Sequence, residues 1–223
     1  AHLIVLGVHI DGGMQEQIAV PQSHLITLNE LNLEAIALIE PLSIGAHALR
    51  RAQLEAKDTL VVMGCGPIGV GIIQLAKNAG FRIIALDIDL KRLQFVEKIV
   101  NGIDTVLADD QAVDKIMKLT QGTLADAVFD ATGNKRAMER GHHFMKHGGK
   151  YILVGLYKDL LSFKHPEIHA KETSLLCSRN ATKEDFDWVI QTLKKDAFPV
   201  KHYITHQLHF DTLIESFESL YKN

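Results

Sequence analysis

Thr59-Leu-Val-Val-Met-Gly-Cys-Gly-Pro-Ile-Gly-Val-Gly-Ile-Ile-Gln-Leu-Ala-Lys77 is the stretch whose reading decides the fold. Strand-forming Leu60, Val61, Val62 and Met63 run into Gly64-x-Gly66-x-x-Gly69, and apolar Ile68, Ile72, Ile73, Leu75 and Ala76 follow at helical spacing. Strand, tight turn and helix form the one context in which this glycine spacing carries meaning. The first glycine permits the turn, the second lets a pyrophosphate approach the backbone, and the third lets the helix pack closely on the strand. Pro67 loses nothing by lacking an N–H in a first helical turn. The free N–H groups of that turn, Ile68 among them, and the helix dipole face the anion.

Arg82-Ile-Ile-Ala-Leu-Asp87 reads as the next strand, and Asp87 falls eighteen residues after Gly69. A carboxylate there accepts hydrogen bonds from both hydroxyls of an adenosine ribose and repels a 2′-phosphate. The expected cofactor is therefore NAD rather than NADP. The plainer reading is a glycine turn between any strand and helix, with Asp87 capping the next helix. Strand, helix and acid in register favour dinucleotide binding.

The 223 residues suffice for one large or two modest domains with a real core. Hydrophobic residues make up 47% and charged residues 23%, an ordinary balance for a globular chain. A net charge of −3 gives no support for a nucleic-acid or anionic-membrane surface. No apolar run reaches the length of a membrane span, and no signal segment opens the chain. The first residue is Ala1 rather than Met, so it need not be the native start. Cys65 and Cys177 are far apart; they cannot form a cysteine-rich zinc site, and a disulfide framework is not expected. A reducing cytoplasm fits best.

Along the chain, His2 to Leu28 reads as strands and turns, with Leu3–Leu6 and Gln17–Val20 β-like around Asp11-Gly12-Gly13. Leu33 to Ala52 is helical in pattern but expected to break at Glu40-Pro41. Strands are expected near 59–63, 82–87, 104–107, 126–130, 150–154 and 173–177. Helices are expected near 67–79, 89–99, 111–119, 134–146 and 165–171. This alternation predicts an α/β fold, a doubly wound six-stranded parallel sheet with its ligand at the carboxyl ends of the strands. After Ser178, amphipathic helices at Glu184–Lys194 and Asp211–Tyr221 flank Phe198-Pro199 and a β-like Tyr203–Leu208.

Several stretches carry a resemblance that covers nearly the whole chain. They are Leu6-Gly-Val-His-Ile-Asp-Gly-Gly-Met14, Ile39-Glu-Pro-Leu-Ser-Ile-Gly-Ala-His47, Val62-Met-Gly-Cys-Gly-Pro-Ile-Gly69, Asp130-Ala-Thr-Gly133, Gly148-Gly-Lys-Tyr-Ile-Leu-Val-Gly155 and Tyr203-Ile-Thr-His206. Together they resemble the zinc-type medium-chain dehydrogenases, in the sorbitol, threonine and L-galactonate-like branch. The resemblance implies hydride transfer from a secondary alcohol of a polyol or sugar acid to NAD, with zinc acidifying the hydroxyl. Family members are longer and carry an N-terminal barrel-like domain whose Cys and His-Glu bind catalytic zinc; most add a four-cysteine structural zinc lobe. The chain is accordingly expected to be a fragment, inactive alone. Residues 1–38 would be a β-rich catalytic-domain remnant with its connecting helix, 39–180 the NAD-binding Rossmann domain, and 181–223 the return toward the catalytic domain.

Carried over residue by residue, Gly64, Gly66 and Gly69 match the pyrophosphate turn and Asp87 the ribose acid. Arg92 matches a basic residue near the adenosine, and Thr132, Val154 and Gly155 match positions lining the nicotinamide. Glu40 matches a zinc ligand, and Arg179 a position that meets substrate or the zinc-bound water. The family also implies a homodimer or tetramer joined through the edge strand 173–178. Plainer readings stand beside these: Glu40 as a solvated helix end, Arg179 as a surface ion-pair partner, and His47 as packing. His165 and His169 read as a surface pair, and His142, His143 and His147 as solvent-facing. Cys65 need not be a nucleophile. A zinc-independent NAD(P) reductase of the same superfamily, a methyltransferase and a non-catalytic NAD-binding module remain open at this point.

Overall fold

Six runs of largely apolar residues lie side by side: β1 (Thr59–Met63), β2 (Arg82–Asp87), β3 (Asp104–Leu107), β4 (Ala125–Asp130), β5 (Met145–Leu153) and β6 (Ser174–Cys177). Their order is β3-β2-β1-β4-β5-β6, and every neighbouring pair is parallel. The expected doubly wound sheet is thus the fold found in this computed structural model, which describes residues 4–221. The chain divides into two compact units between Glu30 and Leu31, and the sheet belongs wholly to the second.

Leu60, Val61 and Val62 are all fully buried, as expected for a central parallel strand covered on both faces. Alternate residues point to opposite faces. Val61 and Met63 join Ile84, Leu86, Val128 and Tyr151 in one core, closed by Ile116 of α4 (Ala112–Leu119) and Met138 of α5 (Lys135–Arg140). The other face carries α1 (Leu33–Arg51), α2 (Pro67–Asn78) and α3 (Leu90–Ile99). Ile72 and Ile73 of α2 are fully buried, each contributing roughly 1.5–3 kcal/mol. The first two of these helices cross closely because glycines face each contact. A Cβ at Gly71 would lie 2.9 Å from Leu42 Cδ2, and one at Gly45 3.1 Å from Ile72 Cγ1.

α1 runs unbroken through Pro41, contrary to the expected break. Proline removes one helical N–H bond, but Leu38, Ile39, Leu42 and Ser43 are buried on either side of that turn. Ser43 Oγ also donates to the Ile39 carbonyl at 2.7 Å. Packing on α2 outweighs the local preference. The division expected after residue 38 falls inside this helix.

The helix expected over 134–146 ends at Arg140; a 3-10 turn, Gly141–Phe144, leads into β5. Gly141 lies under the Tyr151 ring, where any Cβ would collide with the phenol. Beyond α6 (His165–Ala170) and β6 comes α7 (Lys183–Lys194), which packs on α1. Its capping box pairs Thr182 with Asp185, and the same buried carboxylate accepts from Arg50 Nε at 2.6 Å and meets His47 Nδ1 at 2.9 Å. Burial pushes the Asp185 carboxyl up, but the bonds from Arg50, Thr182 and His47 outweigh it and hold the group below its ordinary value. The stretch after Pro199 forms α8 (Val200–Tyr203), an irregular segment and α9 (Leu213–Tyr221), not the β-like run expected at 203–208.

Within the first unit, the expected strands at 3–6 and 17–20 do not form among the described residues; Leu3 lies outside them. An isolated bridge joins Leu6 to Ile10, and Gln22–His24 make a 3-10 turn. Ile4, Val8 and Ile10 are exposed, so no partner strand rewards the extended pattern.

Candidate dinucleotide site

β1 and β4 flank the point where strand order reverses, and the loops at their carboxyl ends meet there. The Gly64 amide donates to the Leu86 carbonyl and the Ala131 amide to the Met63 carbonyl, both at 2.8 Å. Gly64 has φ +89°, and a Cβ there would press on Thr132 and Ala131. At Gly69 a Cβ would overlap the Gly64 carbonyl, so the third glycine is required by the turn itself. Gly66 differs. Its φ is −76°, and the position of an added Cβ meets no atom within 4 Å. α2 starts at Pro67 with no side chain capping its first turn, leaving the N–H groups of Ile68 and its neighbour facing that space. The Tyr203 hydroxyl donates to the Pro67 carbonyl and steadies the turn; burial pushes that phenol up to about 12.

Asp87 ends β2 and is only 5% exposed. Its Oδ2 accepts from the Cys65 amide at 2.6 Å and its Oδ1 from the Asp89 amide at 2.9 Å. A carboxylate has about four acceptor positions, so lone pairs remain for a ligand. Arg92 Nη1 stands 3.9 Å from Asp87 Oδ2 on an exposed side chain. Burial and the nearby Asp87 charge push the Cys65 thiol up to about 12, which makes it inert as a nucleophile.

On the other side of the crevice, one residue gathers three expected positions. Asp130 Oδ1 accepts from the Thr132 amide and hydroxyl, each at 3.0 Å. The Asp130 carbonyl accepts from the Val154 amide at 2.9 Å and the Gly155 amide at 2.8 Å. A Cβ at Gly155 would overlap Gly133, so the two loops touch. Asp130 is fully buried, and burial lifts its carboxyl to about 6 despite the Thr132 donors. Sequence reasoning passed over Asp130 as a site residue, although it opens the Asp-Ala-Thr-Gly run at a strand end.

A family profile for zinc-binding dehydrogenases matches residues 67–195, more than half of the chain. The chain belongs to the zinc-binding dehydrogenase family. It is 38% identical over 217 residues to an L-galactonate-5-dehydrogenase of Escherichia coli strain K12, covering 96% of this chain and 63% of that protein. It is 31% identical over 202 residues to an erythritol/L-threitol dehydrogenase of Mycolicibacterium smegmatis, covering 88% and 55% respectively. Among solved structures it is similar to the 2R,3R-butanediol dehydrogenase of Bacillus subtilis, with TM-score 0.87, 28% identity, and coverage of 98% of this chain and 63% of that one. The chain thus spans less than two thirds of the length of these relatives.

Glu40 belongs to no group of three potential metal donors among the described residues. Glu40 is exposed on α1, and the one group of three potential metal donors among the described residues is His142, His143 and Glu167. Arg179 is exposed just past β6, at the sheet's carboxyl edge, since the preceding Ser178 amide bonds to the Leu153 carbonyl at 2.9 Å. His142 corrects an expectation: it is buried, not solvent-facing, because the Gly141–Phe144 turn tucks it against Glu167 of α6. His165, His169 and His147 are exposed, and both cysteines are free. Among the described residues no helix is long and apolar enough to cross a membrane.

Proposed function

We propose that this chain binds NAD and forms the hydride-acceptor portion of a zinc-type dehydrogenase that oxidises a secondary alcohol of a polyol or sugar acid. One observation carries the reading: a carboxylate, Asp87, fixed by the Cys65 amide beside an uncapped helix start with open space over Gly66. The names of its relatives, an L-galactonate and an erythritol/L-threitol dehydrogenase, support the substrate class.

Bound NAD supplies a nicotinamide that accepts hydride. The amides and dipole at the start of α2 hold its pyrophosphate. Asp87 accepts the ribose hydroxyls and repels a 2′-phosphate, while Arg92 lies alongside the adenosine. Thr132, Val154 and Gly155 form the nicotinamide wall, and Asp130 holds that wall together. Around Glu40 the described residues do not assemble a three-ligand zinc site. Glu40 as one zinc ligand and Arg179 as a substrate contact are proposals resting on the family pattern. We likewise propose residues 39–180 as the cofactor portion, with 1–38 and 181–223 serving the catalytic part, residence in the cytoplasm, supported by two free thiols, and a homodimer or tetramer through β6.

Fluorescence titration with NADH and NADPH tests the core of this reading. Binding of NADH at least about tenfold tighter than NADPH is the expected result. Equal affinity, or no binding of either, overturns it.

A further inference from the structure

Outside the dinucleotide crevice, two adjacent histidines and a glutamate converge. His142 and His143 sit in the turn before β5, and Glu167 sits on α6, 25 residues further along from His142. Glu167 Oε2 lies 3.1 Å from His142 Nε2 and 3.5 Å from His143 Nε2. One donor atom from each of the three lies within 4.8 Å of the others. A tetrahedral zinc ion with ligand bonds of about 2.0–2.1 Å separates its donors by about 3.3 Å along each edge. Two of the three edges are already at that length. We propose that His142 Nε2, His143 Nε2 and Glu167 Oε2 form a binding site for a divalent zinc-class ion, with a fourth position open to water.

The donors are held before any ion arrives. Lys171 Nζ donates to the carbonyls of His142 at 3.0 Å, His143 at 3.3 Å and Met145 at 2.6 Å, which fixes the two-histidine turn from behind. The two imidazole centroids are 4.1 Å apart, and the edge of Phe163 packs on His142. His142 is only 2% exposed, its Nδ1 has no partner, and Glu167 is the sole group bonded to its ring. A cation at Nε2 replaces a modest hydrogen bond with a stronger ligand bond. Glu167 Oε1 is engaged by Lys164 at 3.1 Å, leaving Oε2 for the ion. His143 and Glu167 are each partly exposed, so the site opens to solvent.

Two imidazoles and one carboxylate select Zn²⁺, Ni²⁺ or Cu²⁺ over Mg²⁺ and Ca²⁺, which want oxygen ligands. The Lys171 ammonium and Arg140 place positive charge near His143, which works against cation binding. An ion here ties the turn before β5 to α6 and so pins the whole connection between β5 and the edge strand β6. The site shares no residue with the dinucleotide crevice or with Glu40, so it stands or falls separately from the proposed function.

The test is calorimetric titration of the metal-stripped 223-residue chain with Zn²⁺. One equivalent should bind at micromolar concentration, and saturation should raise Tm by about 5 °C. His143→Ala and Glu167→Gln should each weaken binding by roughly tenfold or more, while the double substitution of His165 and His169 by Ala should not. In case a variant misfolds, Ni²⁺ added to the unmodified chain should broaden the NMR signals of His142 and His143 before those of the other histidines. Absence of micromolar binding, full affinity in both His143→Ala and Glu167→Gln, or selective loss in the His165 and His169 double variant overturns the proposal.

Discussion

The Asp87 carboxylate accepts a 2.6 Å hydrogen bond from the Cys65 amide, joining the end of β2 to the glycine turn after β1. The acid proposed to read the ribose is therefore also a brace for the loop proposed to hold the pyrophosphate.

Replacing Asp87 by Ala should hence do two things at once. NADH binding should weaken, and its advantage over NADPH should shrink, because a carboxylate against a phosphate costs on the order of a few kcal/mol when partly desolvated. Asp87→Asn keeps the brace and removes the charge, so it should narrow the cofactor preference with a smaller loss of NADH affinity. Parallel fluorescence titrations of both variants decide this; an unchanged NADH-to-NADPH ratio in both would count against it.

Gly66 and Gly69 should respond to the same substitution in opposite ways. Gly66→Ala fits its backbone and meets no neighbour, so Tm should stay within about 1–2 °C of the unmodified chain, yet the methyl enters the space assigned to pyrophosphate and NADH affinity should fall. Gly69→Ala forces a methyl into the Gly64 carbonyl and should destabilise by about 2–4 kcal/mol. Thermal melts with and without NADH separate the two cases.

Asp130 gives a pH signature. Its carboxyl rises from 3.8 in the unfolded chain to about 6 in the fold. The unfolded chain loses this proton first as pH rises, so the group's contribution to stability falls between about pH 4 and 6 and is level above that. The full change is about 3 kcal/mol. Asp130→Asn keeps the Oδ1 acceptor for Thr132 and cannot ionise. Urea melts from pH 4 to 8 should show the variant gaining on the unmodified chain across this window; a constant difference would sink the assignment.

Leu175 lies in the edge strand β6 and is 45% exposed. An open edge of Ser-Leu-Leu-Cys invites pairing with another strand, and two-fold pairing extends the sheet across two copies. Leu175→Pro removes an amide from that edge and should convert a dimer to a monomer at micromolar concentration by light scattering. A monomeric unmodified chain would remove the proposal of assembly through β6.

The glycine turn made β1 and α2 readable almost to the residue, because strand, turn and helix there are each dictated by local chemistry. Asp87 was readable for the same reason: its distance from Gly69 is fixed by one helix and one strand. Pro41 misled, since the local preference against helix before proline is weaker than the packing of Leu38 and Leu42 around it. The β-like runs before residue 21 misled in the reverse sense, because apolar alternation forms a strand only when a partner covers it. Asp130 and His142 were invisible as buried groups. Their burial depends on Thr132, Val154 and Glu167, and only the fold brings these together.

The Asp185 clamp has a consequence for synthesis. Arg50 reaches Asp185 across 135 residues, an interval that contains the whole parallel sheet. While the chain emerges from the ribosome, α1 and every strand can form before their carboxylate partner exists. Until Asp185 appears, Arg50 and His47 face water, and the face of α1 that α7 will cover stays open. With the sheet folded between them, only the short run from β6 to α7 remains to be closed. The helix that opens the second unit is consequently locked from its far end, after the sheet has been built.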